Sequence, residues 1–464
     1  MPKPPVTRRE FIQFVAAAAV AGAGEGGPAG RTTGDGTNVL FIVVDDLNHS
    51  LGCYGHGVAK SPNIDRLAAR GVRFERAYCQ FPVCNPSRSS FLTGLRPETT
   101  GVLDNLTPLL SKLPQAVTLP RWFRKHGYFT ARVGKVFHGA AAMGDSRAWD
   151  EALDPRGTPA GRKGQGRNLT AGAVKWCRWL AAEGGDEDQA DGLVAAEAVR
   201  LLERKRDKPF FLAVGFHKPH DPFIAPKRYF DLYPLDRMAP PKVPPGRTAD
   251  LPLAISSPWK RSFDEFTDRE RREFMRAYFA GVSFMDAQVG KVVGALDRLK
   301  LAGRTIVIFF SDHGYHLGER GWWNKNTLFE HSCRSPLIVA TPGMKDRGVC
   351  GKGCPGIVEF LDLFPTLTDL CGLPTPAGLE GRSFRRLLAD PSAPGKEAAF
   401  TVVKRGSVLG RSVRTDRWRY TEWDGGKEGT ELYDHREDPG EYRNLAADPT
   451  RRETIAALAK LLRR

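Results

Sequence analysis

Cys84-Asn85-Pro86-Ser87-Arg88 places a cysteine directly before a predicted helix start, with proline two and arginine four residues later. Pro86 falls in a first turn, where its missing N–H costs nothing. Free N–H groups and the positive end of the helix dipole would then face whatever Cys84 contacts, which favours an anion. A cysteine in such a place reads equally well as a small buried hydrophobe, so the other reactive residues decide. Asp45-Asp46 ends one apolar run and Asp312-His313 ends another. Three carboxylates and an imidazole brought to one point repel unless a cation sits among them; either pair alone is an ordinary acidic strand end. Lys135 and His138 follow a third run, and His217-Lys218-Pro219-His220 follows a fourth. Lysines and a divalent cation bind an anionic ester and offset charge developing on its oxygens. A histidine titrating near neutrality can move a proton to a poor leaving group.

Those residues need a scaffold that delivers them to one edge. The runs 38–44, 129–133, 210–214 and 305–310 are short, continuously apolar and end in polar clusters, the pattern of parallel strands buried on both faces with a site at their carboxyl ends. Helices are predicted between them: from Ser61 to a stop at Gly71, and over about 189–206, 271–299 and 357–370. The Pro-rich stretch 234–258 reads as a long surface loop. After Asp390-Pro391-Ser392-Ala393-Pro394-Gly395 the pattern changes to short strand-like pieces at 412–415, 418–423 and 431–433, followed by a final helix. The expected organisation is a leader over 1–30, an α/β catalytic domain over 36–390, and a C-terminal α+β subdomain with an antiparallel sheet over 396–464.

The pentapeptide resembles the signature of the formylglycine-dependent (type I) sulfatases, in which a maturation enzyme oxidises the cysteine to an aldehyde. Gly134-Lys135-Val136-Phe137-His138, the segment Phe211 to His220, Asp312-His313-Gly314-Tyr315-His316-Leu317-Gly318-Glu319 and Lys325 are similar to the family's other motifs, in the same order, and especially to its iduronate-2-sulfatase branch. Leu432-Tyr433-Asp434 and Asp438-Pro439-Gly440-Glu441 resemble the family's C-terminal subdomain. The resemblance implies an alkaline-phosphatase-like fold, a mostly parallel central sheet flanked by helices, and hydrolysis of sulfate esters on sulfated glycans. It carries Asp45, Asp46, Asp312 and His313 across as calcium ligands, completed by the modified Cys84. Many sulfatases have asparagine at the position of His313, and imidazole suits transition metals better than calcium, so another divalent ion stays open. Lys135 and Lys325 are implied to bind the sulfate, Arg88 to hold the hydrated aldehyde, His220 to protonate the leaving alcohol, and His138 to act as base when the aldehyde is restored. Pocket loops set the sugar, with Tyr315-His316 and Trp322-Trp323 among the residues to be placed. A phosphodiesterase or phosphonate monoester hydrolase of the same superfamily is the alternative, and a non-catalytic glycan-binding protein a more distant one.

The net charge of +16 suits an acidic partner such as a sulfated polysaccharide. No basic helix, interleaved aromatic stripe or zinc-finger spacing argues for nucleic acid. Arg8-Arg9 ahead of Phe11-Ile12 and the alanine-rich run from Phe14 to Ala23 has the order of a twin-arginine export signal. That run is short for a stable membrane span, so the expected location is periplasmic or extracellular, reached through the twin-arginine machinery, with a signal-anchored form as the alternative. Eight cysteines in a chain this long do not make a disulfide scaffold, although Cys350 and Cys354 are close enough for a loop disulfide.

Overall fold

The computed structural model describes residues 36–139, 144–204, 207–244, 253–255 and 257–463. The expected export signal lies outside the described residues. The large sheet contains β1 (Asn38–Asp45), β2 (Val72–Tyr78), β3 (Phe129–Gly134) and β4 (Glu151–Leu153). A three-stranded sheet is built from β5 (Gly164–Asn168), β6 (Arg178–Ala182) and β8 (Phe223–Pro226); β7 (Phe210–Pro219), β9 (Thr305–Ser311), β10 (Leu337–Ala340) and β11 (Gly353–Glu359) complete the large one. Its order is β11-β2-β10-β9-β1-β7-β3-β4, and only β10 runs antiparallel to its neighbours.

β1 sits centrally and all eight of its residues are buried. Leu40, Ile42 and Val44 face one apolar layer and Val39, Phe41 and Val43 the other, the period-two alternation of a strand covered on both sides. The first layer is covered by α1 (Pro62–Arg70), α3 (Ala190–Glu203) and α4 (Asp268–Arg298), the second by α2 (Cys84–Thr93) and α5 (Leu363–Leu370). α4 begins three residues before the predicted start because Thr267 and Glu270 form a reciprocal capping box.

Two expectations need correcting. The helix predicted over 357–370 is divided: Ile357 and Val358 pair with Arg76 and Ala77 in β11, and the helix starts at Leu363. β-branched residues beside an open sheet edge favour the strand. Cys350 and Cys354 form no disulfide; all eight cysteines are free thiols. Within 234–258 the described residues include one short 3-10 turn, Leu235–Arg237.

At the C-terminus β12 (Ala399–Arg405), β13 (Val408–Arg414), β14 (Trp418–Trp423) and β15 (Thr430–Asp434) form an antiparallel meander. α6 (Arg452–Leu462) packs on its Val413, Tyr420 and Leu432. Arg419 joins this sheet to the rest of the fold by pairing with both Glu330 and Glu441.

Candidate active site

β9, β1, β7 and β3 are adjacent and mutually parallel, so their carboxyl ends share one edge. Gly134 and Gly215 allow the close approach there: a Cβ on Gly134 would meet Gly215 O at 2.3 Å, and one on Gly215 would meet Lys135 O at 2.1 Å. Asp45 ends β1. Asp46 then turns with φ 65°, a sparsely populated conformation for a side-chain-bearing residue that requires fixing from outside. Its N–H donates to Asp312 Oδ1 at 3.3 Å, and its carbonyl accepts from Tyr278 Oη of α4 at 2.7 Å.

Cys84 is the first residue of α2 and is fully buried. Its Sγ lies 3.2 Å from Asp45 Oδ1 and 3.4 Å from Lys325 Nζ. Lys325 also pairs with Asp46, and Lys135 with Asp45. The N–H of Asn85 is taken by Asn105 Oδ1 at 3.0 Å, so this first-turn group does not face the thiol as expected. One turn on, Arg88 is fully buried and donates to Asp312 Oδ2 at 2.8 Å and to Val136 O at 3.0 Å. Arg88 therefore ties β9 to the loop after β3. Its Nη2, 3.7 Å from Asp45 Oδ1, has no hydrogen-bond partner.

The electrostatics follow from burying so many charges together. Burial works against the Asp45 carboxylate, but Lys135, His220, Arg88 and Lys325 hold it well below the usual range. Burial pushes its neighbour Asp46 up to about 7, with Asp45 and Cys84 adding to the effect. Burial and Asp45 raise the Cys84 thiol; Lys135 and Lys325 outweigh them and leave it below its ordinary value. For His313 burial disfavours the cation, yet Asp312 and Cys84 lift it to about 9. The lysines thus favour the anionic forms of Asp45 and Cys84, while the carboxylates favour the cationic form of His313.

Unfilled valences mark the donor set as one that can take a cation. Ligand atoms of Asp45, Asp46, Cys84 and His313 all lie within 4.8 Å of one another. Asp46 Oδ2 and His313 Nε2 are buried without hydrogen-bond partners. His313 Nδ1 lies 3.0 Å from Gly314 O, which engages the Nδ1 hydrogen and leaves Nε2, whose proton a bound cation would displace, aimed at the carboxylates, the usual orientation of a metal-binding histidine. The residues fit a divalent cation. Asp312 stands at the margin, its Oδ1 3.6 Å from His313 Nε2 and its Oδ2 engaged by Arg88.

His220 Nε2 is 3.8 Å from Asp46 Oδ2, with its side chain 27% exposed. Burial and Lys325 hold this imidazole well below 6.5. Burial, Lys135 and Arg88 lower His138 to about 4. Both are thus neutral at pH 7 rather than titrating near it. Lys135, His138 and His217 line a cavity of about 450 Å³ beside Arg132, Trp149 and Asp154. Tyr315, Trp322 and Trp323 do not reach it: they are buried against Phe263, Phe266 and Phe274.

Two further residues belong to the site's frame. Asp191 of α3 accepts from the N–H of His217 at 2.9 Å and of Lys218 at 2.8 Å, fixing the end of β7. Asp221, beside His220, is pushed up to about 7 by burial and by Asp46. Asp191 carries no local motif. Asp221-Pro222 reads as a turn, although an acid next to a candidate proton donor was a usable signal.

Residues 37–373 match the family described as Sulfatase, and residues 318–464 match N-sulphoglucosamine sulphohydrolase, C-terminal. The chain belongs to the sulfatase family. It is 34% identical to iduronate 2-sulfatase of Mus musculus over 514 aligned positions, covering 91% of each chain. A solved 2-O GAG sulfatase is 25% identical with a TM-score of 0.72, covering 92% of this chain and 91% of that one. The phosphonate monoester hydrolase of Agrobacterium radiobacter has the same fold, with a TM-score of 0.78 at 23% identity and coverage of 92% and 94%. This sulfatase is accordingly a sulfuric ester hydrolase with an alkaline-phosphatase-like α/β fold. Among its described residues no helix is long and apolar enough to cross a membrane.

Proposed function

We propose that the enzyme hydrolyses sulfate esters of sulfated glycans, with 2-O-sulfated iduronate as the preferred residue, through formylglycine at position 84 and a calcium ion held by Asp45, Asp46, Asp312 and His313. The observation that carries this reading is that Cys84 Sγ has Asp45 Oδ1 at 3.2 Å and Lys325 Nζ at 3.4 Å, with Asp45 paired in turn to Lys135, which lines the cavity. The substrate class rests on likeness to iduronate 2-sulfatase and to a 2-O GAG sulfatase. Hydrated formylglycine supplies the nucleophilic hydroxyl, and the cation supplies Lewis acidity toward a sulfate oxygen.

The chain's own residues then divide the work. Lys135 and Lys325, both held charged by Asp45, Asp46 and Cys84 against the effect of burial, bind sulfate oxygens. Arg88, whose unpartnered Nη2 stands 3.7 Å from the same Asp45 Oδ1 that meets Cys84 Sγ, orients the nucleophile. His220 carries the proton to the leaving oxygen. In the free site burial and Lys325 lower its affinity for that proton, and a bound sulfate anion offsets Lys325 and raises it. His138, neutral above about pH 4, serves as base in the second half of the cycle. Export follows from Arg8-Arg9, with a periplasmic or extracellular site of action and a formylglycine-generating enzyme as maturation partner.

The deciding experiment is a product screen on defined sulfated oligosaccharides, alongside a phosphonate monoester and a phosphate diester. Loss of the 2-O-sulfate from iduronate at the highest kcat/KM is expected. Faster turnover of the phosphorus esters would overturn the reading.

A further inference from the structure

A second cavity lies across the loop 145–150 from the catalytic one. It holds about 390 Å³ and is lined by Val117, Arg121, Trp122, Arg124, Lys125 and Arg147, four cations with no carboxylate among the described residues that line it. Three of the four belong to one short helix, Leu119–Lys125, whose basic face was not legible in the sequence. Residues three and four apart share a helix face, so Arg121 stands beside both Arg124 and Lys125, and Arg147 adds a fourth charge from another segment. Ser146 lines the catalytic cavity and Arg147 the second one. A single step along the chain thus separates the two.

Two of these cations are already committed. Arg124 Nε donates to Asp150 Oδ1 at 2.9 Å and Arg147 Nε to Asp145 Oδ1 at 3.0 Å, and both carboxylates belong to the wall of the catalytic cavity. Arg121 and Lys125 have no ion pair among the described residues. Arg121 donates to Ala116 O at 3.3 Å, and Lys125 Nζ sits 5.2 Å from the ring centroid of Trp122, whose Nε1 donates to Pro374 O at 2.8 Å. The ordinary role of cations in a last helical turn is to answer the negative end of the dipole. That accounts for Arg124 and Lys125 but not for Arg121, which lies in the first turn, where the dipole disfavours a cation. Like charges gathered on one face repel unless an anion is shared among them.

We propose that this basic cavity is a second binding site for the sulfated glycan, holding anionic groups of the same chain some sugars away from the ester being hydrolysed. The inference rests on the sulfated-glycan reading above and extends it from a single sugar residue to a length of polymer. A glycan leaving the catalytic cavity over Ser146 meets Arg147 at the next residue, and Arg121 and Lys125 beyond it. The chain's charge of +16 draws a polyanion in from a distance; this cavity supplies the local contacts at which its further anionic groups come to rest. The larger cavity beside the C-terminal sheet, about 690 Å³, lacks this character, because Arg96 and Lys396 there are both paired with Glu359.

The test compares the full enzyme with its Arg121→Gln/Lys125→Gln double variant, whose Tm should stay unchanged because neither side chain is in an ion pair. On a long heparin fragment at about 50 mM salt the double variant should show a KM raised roughly tenfold at nearly unchanged kcat, and at about 1 M salt, where charges are screened within about 3 Å, the two enzymes should coincide. A 2-O-sulfated disaccharide, too short to span both cavities, should show the same KM with both enzymes at either salt. A binding measurement keeps this inference separate from the reaction it rests on: in the Cys84→Ala background the double substitution should raise the Kd for the heparin fragment by the same factor, whether or not the wild type releases 2-O-sulfate. Equal Kd for the fragment with and without the double substitution would overturn the proposal, as would a KM on the disaccharide raised as much as on the fragment. Binding to phosphatidylglycerol vesicles that depends on Arg121 and Lys125, when binding of the fragment does not, would assign the face to an anionic lipid and overturn it too.

Discussion

Arg88 Nε donates to Asp312 Oδ2 at 2.8 Å, and both side chains are fully buried. The pair joins the start of α2, which carries Cys84, to the turn directly after β9, which carries Asp312 and His313. Breaking a buried pair by removing one partner leaves an uncompensated charge, at about 3–5 kcal/mol. Arg88→Ala is expected to lose that much stability in denaturant unfolding and all detectable turnover. Arg88→Lys should recover part of the stability but little activity, because an ammonium cannot hold Asp312 and Val136 O in one planar fork.

Peptide mass spectrometry of active enzyme from its own host should find formylglycine at position 84. Only an unmodified thiol in fully active protein would contradict the proposed nucleophile. Cys84→Ala should abolish turnover while the protein stays folded, since the thiol's polar contacts are with Asp45, Lys325 and His313 of the site itself.

Metal analysis of active enzyme should find a divalent ion at the Asp45, Asp46 and His313 cluster, and a chelator should remove it together with activity. Asp45→Ala and Asp312→Ala should lose both. His313→Asn replaces the nitrogen ligand by an oxygen and should shift the preference toward calcium, read as the activity ratio in calcium against zinc.

The continuous apolar runs made β1, β3, β7 and β9 legible, and with them the edge at which Asp45, Asp46, Lys135, His138, His220, Asp312 and His313 meet. β2 was not legible: Val72-Arg73-Phe74-Glu75-Arg76 alternates like a half-exposed strand or a loop, and only pairing with β10 and β11 decides it. The same limit hid Asp191 and Tyr278. Asp191 lies 26 residues from His217 and Tyr278 lies 232 from Asp46, and a single sequence carries no sign of either contact. The lowered affinities of His138 and His220 for protons were equally hidden, because burial and Lys325 or Lys135 set them.

Acid should weaken the junction at Glu441. Burial opposes its charge, but Arg419 and His435 hold it at about 2 against an ordinary 4.5. The folded value is depressed, so the stabilisation is fully present above pH 4.5 and is lost as pH falls toward 2. Its size is roughly 3 kcal/mol. Unfolding free energies measured from pH 6 to pH 2.5 should fall more steeply for the wild type than for Glu441→Gln, which is less stable at pH 6 and lacks this titration.

His220→Ala should distinguish substrates by their leaving groups. General acid catalysis contributes about 100- to 10,000-fold when the departing oxygen needs a proton, and little when it leaves as a stable phenolate. The variant should therefore lose about that factor on a sugar sulfate and far less on nitrophenyl sulfate. Asp221, pushed up to about 7 by burial and by Asp46, braces the imidazole: its carbonyl accepts from His220 Nδ1 and its carboxyl lies 3.6 Å from that nitrogen. Asp221→Asn should reproduce a weaker form of the same substrate dependence. His138→Ala should instead slow both substrates alike, because a base acting after the ester bond has broken meets the same enzyme species whichever alcohol has left. Equal losses on both substrates for His220→Ala, with the protein folded and loaded with metal, would assign the proton to another group.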